Sequence, residues 1–127
     1  DLLKKAMIVT VQLLRSKPET IFVFGDTLIR KGYGGAAKLR DEPNAYGFVT
    51  KKYPDNRDES FYKPEEYRHV FNDEMIKLIR NIGYNPSKEF WISKLGSGLA
   101  NKYNIWEEVI EPKIHILKMF KNVKFLF

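Results

Sequence analysis

The sequence predicts an α/β protein: a three-layer α/β/α domain around a mixed, largely parallel sheet, with residues 1–127 forming one domain. Two observations predict it. Short apolar runs at 21–24, 45–50 and 89–95 have the length and composition of buried strands. Stretches of helical spacing at 64–82 and 104–120 alternate with them, which is the pattern of strands covered by crossover helices. A glycine-rich loop follows two of the strands, at 32–35 and at 96–98.

Taken in order, residues 6–14 alternate Ile8, Thr10 and Gln12 with Val9, Val11 and Leu13, a strand period. A polar connection, 15–20, leads to the apolar run Ile21–Phe24, closed by Gly25 and Asp26. Gly32, Gly34 and Gly35 permit tight backbone geometry, and Ala36–Arg40 make one or two helical turns before Pro43. Ala45–Thr50 is a third strand running into Lys51 and Lys52. A charged loop covers 54–61.

Pro64 with Glu65 and Glu66 marks a helix start. Tyr67, Phe71, Met75, Leu78 and Ile82 form its core stripe, and Gly83 is its expected stop. Glu89–Leu95 is a strand ending in Gly96-Ser97-Gly98. Asn104 followed by Glu107 has the spacing of an N-cap, opening a helix to about Phe120 with a kink or restart at Pro112. Val123–Phe127 is a short terminal strand.

Composition bounds the function. The chain of 127 residues has no cysteine, which removes disulfides, thiolate catalysis and Cys-ligated zinc and fits a reducing compartment. No run approaches the ~20 apolar residues of a membrane span, and the first five residues lack signal-peptide character. A cytoplasmic protein without a membrane partner is expected. The net charge of +6 suits an anionic partner. The basic residues are dispersed, unlike the concentrated strip of a dedicated nucleic-acid binder.

Ligands of open α/β sheets collect beyond the carboxyl ends of the strands. Three segments end there. The first offers Gly25, Asp26, Thr27, Gly32, Gly34, Gly35 and Ala36. The second offers Thr50 and Lys51, and the third Lys94, Gly96, Ser97, Gly98 and Leu99. Backbone N–H groups in glycine loops form anion-binding concavities, and two such loops suit a diphosphate held from both sides. The competing reading is that the glycines serve turn geometry alone. Neither loop is a dinucleotide fingerprint or a P-loop. Tyr33, Tyr46, Tyr53 and Tyr103 flank these segments and are candidates for stacking. His69 and His115 have no companions at metal spacing, and Ser97 has no nucleophile-elbow context, so neither metal nor cofactor is expected.

These motifs carry a resemblance. Phe48-Val49-Thr50-Lys51-Lys52, Leu95-Gly96-Ser97-Gly98-Leu99 and Trp106-Glu107-Glu108-Val109-Ile110 resemble, in this order, segments of macro domains. The branch is that of the terminal ADP-ribose protein glycohydrolase and of the antitoxin removing ADP-ribose from DNA. Phe24-Gly25-Asp26 with Gly32–Ala37 is similar to small phage-type macro-like proteins, which would place the chain in a host cytoplasm. The resemblance implies a macro-like fold and binding of ADP-ribose or another ADP-ribosyl or NAD-derived group. It also implies hydrolysis of an ADP-ribosyl linkage, on protein or nucleic acid, through Lys51 as nucleophile. A neighbouring cation, Lys52, and partial desolvation would lower the Lys51 pKa.

Three departures stand out. Val11-Gln12-Leu13 replaces the Gly-Asp pair that contacts adenine. Phe24-Gly25-Asp26-Thr27 replaces Asn-Ala-x-Asn, leaving Asp26 as candidate for ribose contact and for proton transfer. Ala100 stands where the branch has an acid, with Asp26 or Glu42 as substitutes. Two non-catalytic readings compete: a nucleic-acid or protein interaction module, and a sequestering protein for an NAD-derived signal.

Overall fold

The computed structural model describes residues 8–127. Its centre is a four-stranded sheet of β1 Thr20–Thr27, β2 Ala45–Lys51, β3 Glu89–Ile92 and β4 Val123–Phe125. The strand order is β2-β1-β3-β4. Every pairing among the described residues is parallel, with Phe22 of β1 opposite Ala45 and Trp91. The α/β class therefore stands, and no antiparallel strand occurs among the described residues. β1 runs on through Gly25 and Asp26 to Thr27 instead of ending at them, because the β2 partner continues alongside as far as Lys51.

The strand expected at 6–14 is not there. Residues 6 and 7 lie outside the described residues, and Val11–Ser16 form a helix, α1. Thr10 explains the outcome: its hydroxyl accepts the Leu13 N–H at 3.1 Å, an N-cap that starts a turn. Leu14 is the one fully buried residue of α1. The β-branched alternation thus has no neighbouring strand to pair with.

Side chains of β1 alternate between two cores. Phe22 and Phe24 join Leu14, Ala37, Leu39 and Trp91 on one face. Val23 joins Phe48, Phe90 and Ile92 on the other, under the long helix α2, Pro64–Tyr84. A strand covered on both faces must be apolar throughout, which is why 21–24 reads as a continuous run. Tyr67, Phe71, Met75, Leu78 and Ile82 of α2 are buried as expected, each contributing roughly 1.5–3 kcal/mol by burial. Glu66 accepts the Lys63 N–H at 2.9 Å and closes the helix start. The helix passes Gly83, whose added Cβ would meet nothing, and ends before Asn85.

The second helical segment opens with a π turn, Trp106–Ile110, continues as α3, Glu111–Ile114, and tightens to a 3-10 helix at His115–Met119. Asn104 stands at the N-cap position, its backbone carbonyl accepting the Glu108 N–H at 3.0 Å, but the side-chain cap comes from Asn101. The Asn101 side-chain Oδ1 accepts the Trp106 N–H at 3.0 Å, and its Nδ2 donates to Glu107 at 2.9 Å. Asn104 sits at φ +62° and shapes the approach. Pro112 removes the N–H that would bond the Glu108 carbonyl, and Arg68 donates to that carbonyl at 3.4 Å.

The outer edge of β2 is closed by side chains. Glu74 accepts the Val49 N–H at 2.7 Å, the Tyr67 hydroxyl donates to the Val49 carbonyl at 2.5 Å, and Arg30 donates to the Gly47 carbonyl at 2.7 Å. No helix among the described residues is long and apolar enough to cross a membrane.

Candidate functional site

The connection leaving β1 runs to β2 on one side and that leaving the neighbouring β3 runs to β4 on the other, so the two diverge at their carboxyl ends and open a crevice. A cleft of about 520 Å³ occupies that position, within the size range of small-molecule sites. Gly25, Asp26, Thr27, Gly32, Gly34, Gly35, Ala36, Thr50, Lys51, Gly96, Ser97, Gly98 and Leu99 all line it. The sequence segments that carry them are separated by up to about seventy positions, and parallel crossovers bring them together.

Close backbone approach fixes the floor. A Cβ on Gly25 would stand 3.0 Å from the Thr50 hydroxyl and 3.7 Å from the Gly96 nitrogen. Gly96 has φ +73°, and a Cβ there would meet Ile110 at 2.7 Å, so both conformation and space require glycine. Across the mouth, the Leu99 side chain comes within 3.1 Å of the Cβ position of Gly34. Leu99 is itself exposed. Among the described residues, the Gly34, Gly96, Gly98 and Leu99 amides donate to no backbone carbonyl. Both loops that line the cleft thus carry N–H groups that, among the described residues, no backbone carbonyl takes.

The charges favour an anion. Among the described residues, Asp26 is the only carboxylate in the lining, against Lys31, Lys51 and Lys94. Asp26 is 4% exposed and faces Arg40. Both terminal guanidinium nitrogens of Arg40 reach its carboxylate, Arg30 adds a contact at 3.4 Å, and the Thr27 N–H donates at 2.7 Å. Its carboxylate fills the space that a Gly47 side chain would need. This engagement makes Asp26 a holder of Arg40. Arg40 in turn donates to the Gly32 carbonyl at 2.9 Å and lies over the Phe24 ring.

Lys51 is half-buried, with its ammonium 4.7 Å from the centre of the Phe61 ring. Desolvation lowers its pKa, and the nearby Asp55 charge opposes that shift. Of the two causes expected from sequence, desolvation acts and a Lys52 neighbour does not: successive strand-end residues diverge, and Lys52 pairs with Glu66 at 3.0 Å and lies over Tyr62. Asp55 is held down to about 2 by hydrogen bonds from Arg57 and Ser60. It is ionised at neutral pH and has no proton to donate. Glu42 is taken by Arg15 at 2.9 Å. Ala100 lines the cleft yet is packed in the core, 7% exposed.

Of the flanking tyrosines, Tyr33 alone lines the cleft, with its hydroxyl on Asp41 at 3.0 Å. Tyr46 is partly buried against the core, Tyr53 lies under Arg57, and Tyr103 bonds Asp58. His69 is exposed, and His115 packs on Phe125 and Phe127. No cluster of three or more metal-ligating side chains occurs among the described residues. Sequence reasoning missed Lys31, Arg40, Pro54, Asp55 and Asn56. Lys31 sits inside the glycine loop and was open to detection by position. Arg40 reaches Asp26 over fourteen residues, a contact that no spacing rule signals.

A family model described as a family of unknown function, DUF7831, matches residues 4–100, and the chain belongs to that family. No curated protein and no solved structure matches the chain.

Proposed function

We propose that this DUF7831 member binds ADP-ribose, or a related NAD-derived diphosphate, in the cleft at the carboxyl ends of β1, β2 and β3. One observation carries the reading. Among the described residues, two glycine loops with N–H groups that no backbone carbonyl takes line a cleft that also holds three lysines and one carboxylate, and that carboxylate is already paired with arginine. A diphosphate supplies the acceptors and the negative charge that this lining lacks. The order of the macro-like motifs adds the ADP-ribosyl part of the proposal. The ligand is either free or attached to a protein or nucleic acid.

Calorimetry with ADP-ribose tests it. Saturable binding that weakens in Lys51→Ala is expected; no heat and no thermal shift at millimolar ligand overturns the reading.

Hydrolysis through Lys51 is the second reading, favoured by the lowered Lys51 pKa. Against it stand the apolar Ala100 and an Asp55 that holds no proton at neutral pH. We place binding ahead of turnover. An ADP-ribosylated protein or DNA incubated with the protein should keep its modification. Release that disappears in Lys51→Ala would assign a hydrolase instead.

A further inference from the structure

The loops leaving β1, β2 and β3 carry apolar side chains that the core does not use. Leu28, Ile29 and Tyr33 follow β1, Tyr53 follows β2 and Leu99 follows β3; all five are exposed, Leu28 by 52% and Leu99 by 68%. Leu28 and Ile29 are the two central residues of a turn that the Arg30 N–H closes on the Thr27 carbonyl at 3.0 Å. Turn tips ordinarily hold Gly, Asn, Asp, Ser or Pro, so two adjacent aliphatic residues there serve no local geometry. The three loops adjoin one another. The Leu28 N–H donates to the Lys51 carbonyl at 2.8 Å, and Leu99 comes within 3.1 Å of the Gly34 Cβ position. Charge shares the asymmetry. Segments 28–36, 51–57 and 93–99 hold six cations, Arg30, Lys31, Lys51, Lys52, Arg57 and Lys94, against one carboxylate, Asp55. Asp58 and Glu59, which follow the second segment, are held by Lys102 at 2.9 Å and Arg57 at 3.5 Å. The amino ends of the strands differ. Segments 15–19, 40–44, 84–88 and 120–122 hold five cations against three carboxylates, and Tyr84 is their one exposed large apolar side chain among the described residues.

We propose that the carboxyl end of the sheet docks on an anionic lipid bilayer, with the Leu28-Ile29 turn tip entering the headgroup layer. A cluster of exposed apolar side chains rimmed by polar ones marks a partner surface. Composition and charge commit this one to a bilayer. Aliphatic tips enter the acyl boundary, tyrosine rings sit at headgroup level, and the cationic heads of lysine and arginine reach lipid phosphates. The excess of cations over carboxylates complements an anionic leaflet, which attracts each of them. Nucleic-acid interfaces, by contrast, are more polar and use aromatic platforms instead of aliphatic tips. Peripheral docking uses side chains of an already folded surface. It therefore needs no membrane-length helix, and none occurs among the described residues. The inference goes beyond the diphosphate reading and does not rest on it, since neither Leu28 nor Ile29 lines the cleft.

The test is co-sedimentation of the full chain with vesicles of phosphatidylcholine alone, and with vesicles containing about 30% phosphatidylserine. At about 0.1 M salt the protein should favour the phosphatidylserine vesicles by about tenfold or more, and lose that preference at about 0.5 M. Leu28→Ser with Ile29→Ser places turn-favoured residues at both tip positions, so the melting temperature should hold. This variant should partition about tenfold more weakly. Lys31→Ala, which leaves the tip intact, should weaken partition about fivefold. Wild-type protein that stays in the supernatant with phosphatidylserine vesicles overturns the proposal. So does equal partition of the double-serine variant. An equal affinity for soluble polyglutamate also overturns it, since charge alone would then account for the attraction. Calorimetry with ADP-ribose decides the diphosphate reading separately, and the double-serine variant should bind ADP-ribose as the wild type does.

Discussion

Lys51 shows how a residue's setting differs from its sequence neighbourhood. Its ammonium lies over Phe61 and is partly desolvated, so its folded-state pKa falls below the ordinary 10.5. Between the two values the unfolded chain binds more protons, and stability rises with pH across that window. Below it, burial of the charge is a standing cost. Lysine-selective acylation with peptide mapping should half-label Lys51 at a lower pH than a free lysine amine. Asp55→Asn should move that point lower still, since the Asp55 charge is what holds the amine up. A shift in the opposite direction would show that Asp55 does not act on Lys51.

Asp26 was legible in the sequence as a strand-end carboxylate but not as an ion-pair partner. Nothing in Phe24-Gly25-Asp26 points to an arginine fourteen positions on. Asp26→Ala strands Arg40, whose side chain is only 13% exposed, and should cost about 3–5 kcal/mol in denaturant unfolding. Asp26→Ala with Arg40→Met should recover much of that loss.

At the scale of the element, α2 was legible because a single apolar stripe at helical spacing faces one core. The 6–14 segment was misread for a related reason. Alternation specifies a strand only if a partner strand is there to receive it, and the Thr10 cap turned the chain into α1 first. The loops that follow β1 and β3 were legible through their glycines, whereas the closed edge of β2 was not, because it depends on side chains from α2 and the 27–30 turn. Tyr67→Phe removes the hydroxyl on the Val49 carbonyl and leaves that buried acceptor unpaired. Loss of about 1–3 kcal/mol is expected by thermal or denaturant unfolding. Gly96→Ala should do more harm to the site. The added methyl meets Ile110 at 2.7 Å in a left-handed conformation, so the loop must move and ligand affinity should fall even in the fraction that folds.

For the whole molecule, the order β2-β1-β3-β4 is what makes the cleft, by sending neighbouring connections in opposite directions. The sequence shows three strand ends with suitable residues; only the topology shows that they meet. A site with three lysines against one neutralised carboxylate should bind an anion in a salt-dependent way. ADP-ribose affinity should weaken severalfold between about 0.05 M and 0.5 M salt as screening shortens from roughly 14 to 4 Å. Ligand at about 100 times its dissociation constant should stabilise the fold by about 2.7 kcal/mol, read as a rise in melting temperature. An affinity indifferent to salt would argue for a site dominated by apolar contact.

One guanidinium bears on both folding and binding. Arg40 spans Phe24, Asp26 and the Gly32 carbonyl, so the first glycine loop is moored to the sheet before any ligand arrives. The entropy lost in ordering that loop belongs to folding and is not charged again at association. The site should behave as a pre-formed receptor, with little change in backbone order on binding. Loosening Arg40 would then cost affinity without removing a single ligand contact.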